Sequence, residues 1–371
     1  MNNFLKRSWV EIDLNQLINN YTICKKNLEP NKKVMAVIKA DAYGHGDYTI
    51  AKELYNIGVR DFGVSNLNEA CNLRKNGIKG NILIFGYTPP ECALLIYEND
   101  IIQTIVSEEY AKEIMDTNIP IKCSFAIDTG MNRIGLCTKN INKCIEIIKN
   151  YSSKLNIKGI FTHLCVADEE SEESKKFTEN QIKIYTKVLD SISDLNINYN
   201  HCLNSAGALW YKSENTSIAR LGIILYGLRP NYYNTLPKGI KPILQWKSII
   251  SIVKWIEPGE TVGYGRTYKA TKRMKVATVT TGYADGYNRL LSNKGYVLIN
   301  GQKAYVIGNI CMDQFMIDVT DIENVHMGSE VILIGNSGSL SYSADDMGKD
   351  IGTIGYEVVC NISKRVNRIY I

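Results

Sequence analysis

The chain has 371 residues, more than a single ordinary core accommodates, so we expect two domains. Apolar residues make up 45% and charged residues 22%, which is normal for a globular protein. The net charge of +5 comes from 43 basic and 38 acidic residues spread along the chain, and such a weak, dispersed excess argues against nucleic acid or membrane binding.

The N-terminal residues and the cysteines predict a cytoplasmic location. Residues 1–7 lack the apolar stretch of a signal peptide, and no apolar run approaches the roughly 20 residues that cross a bilayer. The ten cysteines include no C-x-x-C pair, and the four histidines have no metal-ligand spacing. We therefore expect reduced thiols and no structural metal.

Strand-like and helix-like stretches alternate along the first part of the chain. A first helix is predicted to begin after Asp13, a good N-cap residue. The predicted strands, all short and apolar, are residues 34–40, 59–65, 81–87, 101–107, 121–128, 157–164, 198–204 and 217–221. The later amphipathic helices are residues 48–57, 66–75, 108–115, 141–151 and 173–193. Eight strand–helix units in succession favour a (β/α)8 barrel of the TIM type over an open doubly wound sheet.

The second part of the chain has closely spaced strands separated by turn residues. The predicted strands are residues 249–256, 275–281, 296–299, 302–307, 314–319 and 330–335. Pro258-Gly259 and Asn300-Gly301 are typical turn pairs between them. This pattern describes a mostly-β domain with a boundary near Lys238, so the predicted domains are residues 1–237 and 238–371.

A lysine ends the first predicted barrel strand, at the face where barrel enzymes place their active sites. Lys39 follows apolar residues, and a buried lysine is unfavourable unless its pKa falls or it forms a Schiff base. Alternatively, the amine extends to solvent and only the stem is buried. Tyr43 and the two glycines that follow predict a loop able to approach a ligand closely, which favours a functional role.

The run of residues 39–46 resembles the signature with which the alanine racemase family, of fold-type III, attaches pyridoxal 5'-phosphate (PLP). Eight further matches follow in order at residues 128–133, 161–163, 204–206, 220–222, 262–265, 282–286, 310–314 and 354–357. One such match is a weak sign, but the whole set in register is highly specific. The family's fold, a PLP-binding barrel followed by a β domain, agrees with the one that the patterns predict independently.

The resemblance implies a set of PLP-binding residues. They are Lys39, Tyr43, His163, Asn204, Ser205, Arg220, Gly222, Ile223 and Tyr356. Lys39 would carry PLP through a Schiff base, and backbone N–H groups and hydroxyls would bind the phosphate. Ser205 is also expected to cap a helix. Arg220 would face the pyridine nitrogen, and an arginine keeps its proton, so the ring becomes a weaker electron sink and reprotonation at Cα is favoured.

The implied reaction needs an acid/base group on each face of a planar intermediate. Lys39 would serve one face. Tyr264, contributed by the β domain of a second subunit, would serve the other, which predicts a homodimer with shared active sites. Arg133 and the backbone near Met312 would hold the substrate carboxylate. The predicted enzyme racemises alanine and supplies D-alanine for peptidoglycan.

Three positions depart from the family pattern. Ala126 stands where many members have a carbamylated lysine that orients the arginine, so Arg133 must be held otherwise, and a bound anion such as chloride is our hypothesis. Asn309 stands where some relatives have an arginine near the entrance. Gly355 replaces a bulkier residue before Tyr356; the tyrosine favours alanine, whereas the flexible neighbour leaves serine open.

The sequence leaves three alternatives to alanine racemase. The first is a serine or broad-specificity racemase, and the second is a PLP-dependent decarboxylase on a similar barrel. The pair Lys39 and Tyr264, together with Arg220, fits racemisation better than decarboxylation. The third is a PLP-binding carrier without turnover; such proteins resemble the barrel alone and have no use for Tyr264.

Overall fold

A computed structural model describes residues 6–371. Its strands are β1 (Ser8–Ile12), β2 (Lys33–Val37), β3 (Asp61–Val64), β4 (Asn81–Ile84), β5 (Ile102–Ile105), β6 (Lys122–Asp128), β7 (Leu136–Cys137), β8 (Asn156–Thr162), β9 (Tyr199–His201), β10 (Ile218–Leu221), β11 (Leu244–Ile256), β12 (Thr261–Val262), β13 (Tyr268–Lys269), β14 (Met274–Val279), β15 (Tyr296–Ile299), β16 (Gln302–Ile307), β17 (Phe315–Asp318), β18 (Glu330–Ser337), β19 (Leu340–Tyr342) and β20 (Asn367–Tyr370). Its α-helices are α1 (Leu14–Asn27), α2 (Lys39–Gly44), α3 (Asp47–Asn56), α4 (Leu67–Lys75), α5 (Ala93–Glu98), α6 (Glu108–Asp116), α7 (Ile141–Ser152), α8 (Glu172–Ser191), α9 (Ser205–Trp210), α10 (Ala344–Ile351) and α11 (Gly355–Cys360). Within residues 6–371, no helix has the length and apolar character needed to cross a bilayer.

One compact unit comprises Ile18–Leu225 and Leu236–Ile240. Eight parallel strands close on themselves in the order β2, β3, β4, β5, β6, β8, β9 and β10, with β10 pairing back to β2. The short β7 pairs with β6 beside this barrel. The predicted (β/α)8 barrel is therefore confirmed.

The barrel interior is filled by apolar side chains that its strands point inward, as expected for a packed barrel rather than a pore. The buried cluster consists of Met35, Leu83, Ile102, Ala126, Phe161 and Ile218. Helices flank the strands, and their caps follow the sequence: Asp13 Oδ1 accepts a hydrogen bond from the Gln16 amide at 2.8 Å, as predicted for α1.

Several element boundaries differ from the sequence-based expectation. Strand β2 ends at Val37, so Lys39 follows the strand instead of ending it. Helix α5 was not predicted because it has only six residues, too few to show a helical period. The helix expected at Ser205 is the short α9. Strand β9 has only three residues, shorter than its predicted segment.

The segment after Lys39 is a left-handed helical turn. Residues 40–43 have φ angles of 53°, 55°, 51° and 54°, a conformation that disfavours L-amino acids by roughly 1–2 kcal/mol each. The surrounding structure holds it: the Gly46 amide donates to the Asp41 carbonyl at 2.9 Å, and the ring Nδ1 of His45 lies 2.9 Å from the Ala42 and Tyr43 carbonyls. Such strain concentrates at functional sites.

The other unit comprises residues 6–17, Tyr226–Thr235 and Lys241–Ile371. Strands β11, β14, β17, β16, β15 and β18 pair in that order, and β18 pairs back to β11. Strand β1 lies antiparallel to β11 and parallel to β20. The predicted mostly-β architecture is confirmed. The boundary at residues 237 and 238 stays a prediction, since the two contact-defined units interleave along the chain.

A buried lysine fastens the amino end of β2. Lys32 is 4% exposed, and its Nζ donates to the carbonyls of Ser213 and Thr216 at 2.8 and 2.7 Å. It also donates to the Thr216 hydroxyl at 3.0 Å and pairs with Glu29 at 2.8 Å. One ammonium group therefore binds oxygens from two segments, the loop of residues 213–216 and the residues that precede β2.

We expect Lys32→Met to lower the free energy of unfolding by about 2–4 kcal/mol, because it leaves buried oxygens without a donor. Urea unfolding followed by circular dichroism measures this change. The matched control is Lys33→Met at the exposed neighbouring position, which should stay within about 0.5 kcal/mol of the wild type. Equal stability of the two variants would contradict the prediction.

Candidate active site

The predicted cofactor-binding residues of the barrel gather at the carboxyl ends of its strands. Lys39 follows β2, and His163 comes directly after β8. Asn204 and Ser205 follow β9, whereas Arg220 lies in β10 with Gly222 and Ile223 after it. Parallel strands end on one face of a barrel, so the fold brings these residues to the same end.

Arg220 is a cation buried among neutral acceptors. Its side chain is 3% exposed, and within residues 6–371 it forms no ion pair. Nη1 donates to His201 Nδ1 at 2.7 Å. Nη2 donates to the Thr162 and Cys202 carbonyls at 2.8 and 3.1 Å and to His163 Nδ1 at 3.2 Å. Burial lowers the pKa of Arg220 to about 10, so the guanidinium remains protonated at neutral pH.

Both histidines beside this cation are neutral. Burial, reinforced by the Arg220 charge, holds the pKa of His163 and the pKa of His201 well below the ordinary value of 6.5. Each Nδ1 faces a guanidinium, which can only donate, so each Nδ1 accepts and the ring proton lies on Nε2. The His201 ring stacks on Phe161 with centroids 5.0 Å apart.

A second group of residues forms a polar corner suited to an anion. The Gly222 amide donates to Ser205 Oγ at 3.0 Å, and a Cβ at Gly222 would lie 2.7 Å from the Tyr43 hydroxyl. Glycine at this position therefore keeps the corner open. Asn204 Oδ1 accepts from the Gly207 amide at 2.8 Å, so Asn204 is the N-cap of α9. The expectation that Ser205 caps this helix was wrong.

The loop of residues 128–133 presents Arg133 at the surface. Asp128 Oδ1 accepts from the Gly130 and Asn132 amides, both at 3.0 Å, and this fixes the turn. Arg133 is exposed and makes no hydrogen bond or ion pair with any described residue. Ala126 is buried in the barrel interior and offers no charge. Within residues 6–371 no group thus replaces the carbamylated lysine, and the anion hypothesis stays a prediction.

Sequence reasoning missed the residues that support the strand ends. Gln181 of α8 donates to the His163 carbonyl at 3.1 Å and to the Thr129 hydroxyl at 3.2 Å. Thr129 in turn lies 2.7 Å from the Thr162 hydroxyl. His201 was also missed. The one feature of the sequence that could have identified it is its position in the short strand that precedes the predicted phosphate-binding residues.

The other predicted site residues belong to the β unit. Tyr264 lies in the turn between β12 and β13 and is 74% exposed. Asn309 Nδ2 donates to the Tyr264 carbonyl at 2.7 Å, which anchors the turn. Met312 lies between β16 and β17 and is half-exposed. Both side chains are presented outward from firmly bonded backbone.

Tyr356 lies in α11, and its neighbour Gly355 has a packing role. A Cβ at Gly355 would lie 2.1 Å from Asp345 Oδ1. Asp345 is buried, its Oδ2 accepts from the Arg229 amide at 3.2 Å, and burial raises its carboxyl pKa. The departure from the family pattern at Gly355 therefore makes room for the Asp345 carboxylate and leaves no open space.

Comparison with known proteins finds the same similarity in both halves of the chain. Residues 12–230 match the alanine racemase N-terminal domain, and residues 243–370 match the alanine racemase C-terminal domain. The alanine racemase of Halothermothrix orenii is 40% identical over 98% of this chain and 96% of that protein. The alanine racemase structure from Clostridium difficile 630 has a TM-score of 0.92 at 36% identity and covers 100% of this chain and 97% of that one. The alanine racemase of Bartonella henselae with covalently bound pyridoxal phosphate has a TM-score of 0.89 at 29% identity and covers 99% of this chain and 100% of that one.

The neutral histidines predict a loss of stability in acid. Unfolded histidine has a pKa of about 6.5, whereas folded His201 resists protonation, so stability is full above that pH and falls below it. His201→Asn keeps an acceptor for Arg220 but cannot titrate. We therefore expect its melting temperature to decline less than that of the wild type between about pH 7 and about pH 5. His326→Asn, at an exposed histidine, is the matched control, and equal slopes for all three proteins would refute the prediction.

Proposed function

The chain belongs to the alanine racemase family, and we propose that it is a PLP-dependent enzyme that interconverts L-alanine and D-alanine. The resemblance seen in its motifs is confirmed by similarity over the full chain. The observation that carries the proposal is Arg220, a buried cation with neutral partners at the strand ends near the lysine-bearing turn. Supply of D-alanine for peptidoglycan and a cytoplasmic location are part of the proposal.

The barrel residues fit the charge and size of PLP. Lys39 provides an amine on a half-buried turn, and Ser205, Gly222 and Tyr43 provide a hydroxyl and amide corner for a phosphate. Among the described residues the Ser205 hydroxyl makes one hydrogen bond, in which it accepts from the Gly222 amide, so its own proton is available to an anion. When bound, PLP supplies an electron-withdrawing ring that lowers the barrier to removal of the substrate Cα proton.

Arg220 determines what happens after that proton leaves. With its pKa at about 10, the guanidinium does not transfer a proton at neutral pH, and the two neutral histidines cannot do so in its place. Arg220 would therefore donate a hydrogen bond to the pyridine nitrogen of PLP and would not transfer a proton to it. Return of a proton to Cα is favoured over side reactions, which fits racemisation.

Two residues exchange the Cα proton in this proposal. Lys39 Nζ acts on one face, and Tyr264 of the partner subunit acts on the other, which requires a homodimer with shared active sites. The exposure of Tyr264, on a turn anchored by Asn309, supports presentation of its hydroxyl to a second chain. One residue removes the Cα proton from its face and the other donates its own proton to the opposite face, which inverts the configuration.

The substrate carboxylate is assigned to Arg133 and the Met312 backbone. Arg133 has no protein partner among the described residues, so its guanidinium is available to a carboxylate and to an orienting anion such as chloride. Alanine is favoured over serine because the space beside Gly355 is filled by Asp345, which limits movement of Tyr356. The ratio of kcat/KM for L-alanine to that for L-serine tests this preference.

Two substitutions separate cofactor binding from proton transfer. We expect Lys39→Ala to lose both the yellow absorbance of covalently bound PLP and turnover. Tyr264→Phe should keep the absorbance and lose racemisation by roughly 10²–10⁴-fold, because one face lacks its acid/base group. Loss of deuterium from Cα of labelled L-alanine measures turnover. Tyr305→Phe, at another exposed tyrosine of the β unit, is the control, and full activity of Tyr264→Phe would reject its role.

Mixing the two inactive variants tests the shared site. A mixed dimer of Lys39→Ala and Tyr264→Phe subunits contains one site in which both intact residues meet, because each chain supplies what the other lacks. We therefore expect partial recovery of racemisation after the subunits exchange. Sites formed within single chains would give no recovery at any mixing ratio, and that result would exclude the shared arrangement.

A further inference from the structure

The buried carboxylate of Asp285 joins distant parts of the β unit. Its side chain is 0% exposed. Oδ1 accepts from Arg7 Nη1 and Nη2 at 2.9 and 3.0 Å and lies 2.9 Å from Arg365 Nε. Oδ2 accepts from Arg7 Nη2 at 2.8 Å and from the Gly282 amide at 2.9 Å. A residue before β1 and a residue before β20 thus converge on one loop.

That loop is bonded directly to the peptide groups at residues 311 and 312. The Tyr283 amide donates to the Cys311 carbonyl, and the Ala284 amide donates to the Met312 carbonyl, both at 3.0 Å. A Cβ at Gly282 would lie 2.3 Å from the Met312 oxygen and 2.4 Å from the Cys311 oxygen. Backbone contact this close means that displacement of Gly282 also displaces Met312.

Arg365 also restrains the other side of Met312. Its Nη2 donates to Asp313 Oδ1 at 2.6 Å, while its Nε contacts Asp285. Met312 is therefore held through its own carbonyl by the loop at Ala284 and through its neighbour Asp313 by Arg365. Both restraints depend on where Asp285 fixes the arginine and the loop.

We propose that Asp285, with Arg7 and Arg365, is a positioning residue for the substrate carboxylate. The inference rests on the proposed function, in which the Met312 backbone binds that carboxylate. Asp285 is enclosed and has no contact with substrate; it acts by fixing the direction of the Met312 peptide. Its removal should therefore weaken binding of carboxylates more than it slows proton transfer at Cα.

The direct test is Asp285→Asn, whose amide oxygen can still accept from Gly282 while the charge that holds both arginines is lost. We expect KM for L-alanine and KM for D-alanine to rise about tenfold, because a charge-assisted hydrogen bond to the carboxylate is weakened. The value of kcat should change much less. The dissociation constant of propionate, a carboxylate without an amino group, should rise by the same factor. Unchanged KM and propionate affinity, with only a lower melting temperature, would overturn the proposal.

A second pair of variants applies if Asp285→Asn does not fold. Arg365→Gln leaves the bidentate contact between Arg7 and Asp285 in place, yet it should still raise KM for alanine and the dissociation constant of propionate. Arg365→Lys should bring both values part of the way back to those of the wild type. Arg273→Gln breaks an exposed ion pair with Glu257 in the same unit and should match the wild type. If Arg365→Gln bound propionate as tightly as the wild type does, that result would count against the proposal.

Propionate binding also separates this inference from the proposed function. It is followed by the change in cofactor absorbance and requires no turnover. A wild-type protein that binds PLP and propionate but leaves alanine optically unchanged would contradict racemisation. In that case the propionate constants of Asp285→Asn and Arg365→Gln still decide whether Asp285 positions the carboxylate site.

Discussion

The carboxyl end of the barrel is organised around Arg220, a buried cation that has no carboxylate partner within residues 6–371. Burying a charge is strongly unfavourable unless hydrogen bonds compensate for the lost water. Arg220 obtains them from two carbonyls and two histidine nitrogens, and the Phe161 ring lies 5.6 Å from its guanidinium carbon. A carboxylate in their place would neutralise the charge. Strands β8, β9 and β10 must therefore hold these acceptors in fixed directions, and the neutrality of both histidines follows from the same arrangement.

The barrel could be predicted from the sequence because strands buried on both faces leave continuous apolar runs separated by helical periods. What could not be predicted depends on distant partners. The predicted domain boundary placed β1 in the barrel domain, yet its partners are strands β11 and β20 of the β unit. The left-handed turn at residues 40–43 also gave no signal, because no glycine occupies those positions and only the surrounding contacts hold the strained backbone.

The candidate site was predictable to the extent that its residues stand in recognisable motifs. Lys39, Arg220 and Tyr264 were identified in this way, and their roles are still proposals. His201 and Gln181 were missed, since their importance comes from contacts with Arg220 and the His163 carbonyl that no local spacing reveals. The helix cap was assigned one residue too late, at Ser205, because asparagine and serine are both good caps and only the Gly207 contact distinguishes them.

The pairing of β1 has a consequence for the order in which the molecule can form. As a nascent chain leaves the ribosome, β1 emerges well before both of its neighbours, which begin at Leu244 and Asn367. Until the whole barrel sequence has been synthesised, β1 lacks a partner strand. During that time its apolar residues Trp9, Val10 and Ile12, which become almost fully buried in the fold, stay exposed. An early apolar segment with unpaired strand edges is open to association with other chains. Translation thus makes β1 the last strand to acquire both neighbours, and a chain cut short before Asn367 leaves β1, in place of β20, as the edge of the sheet.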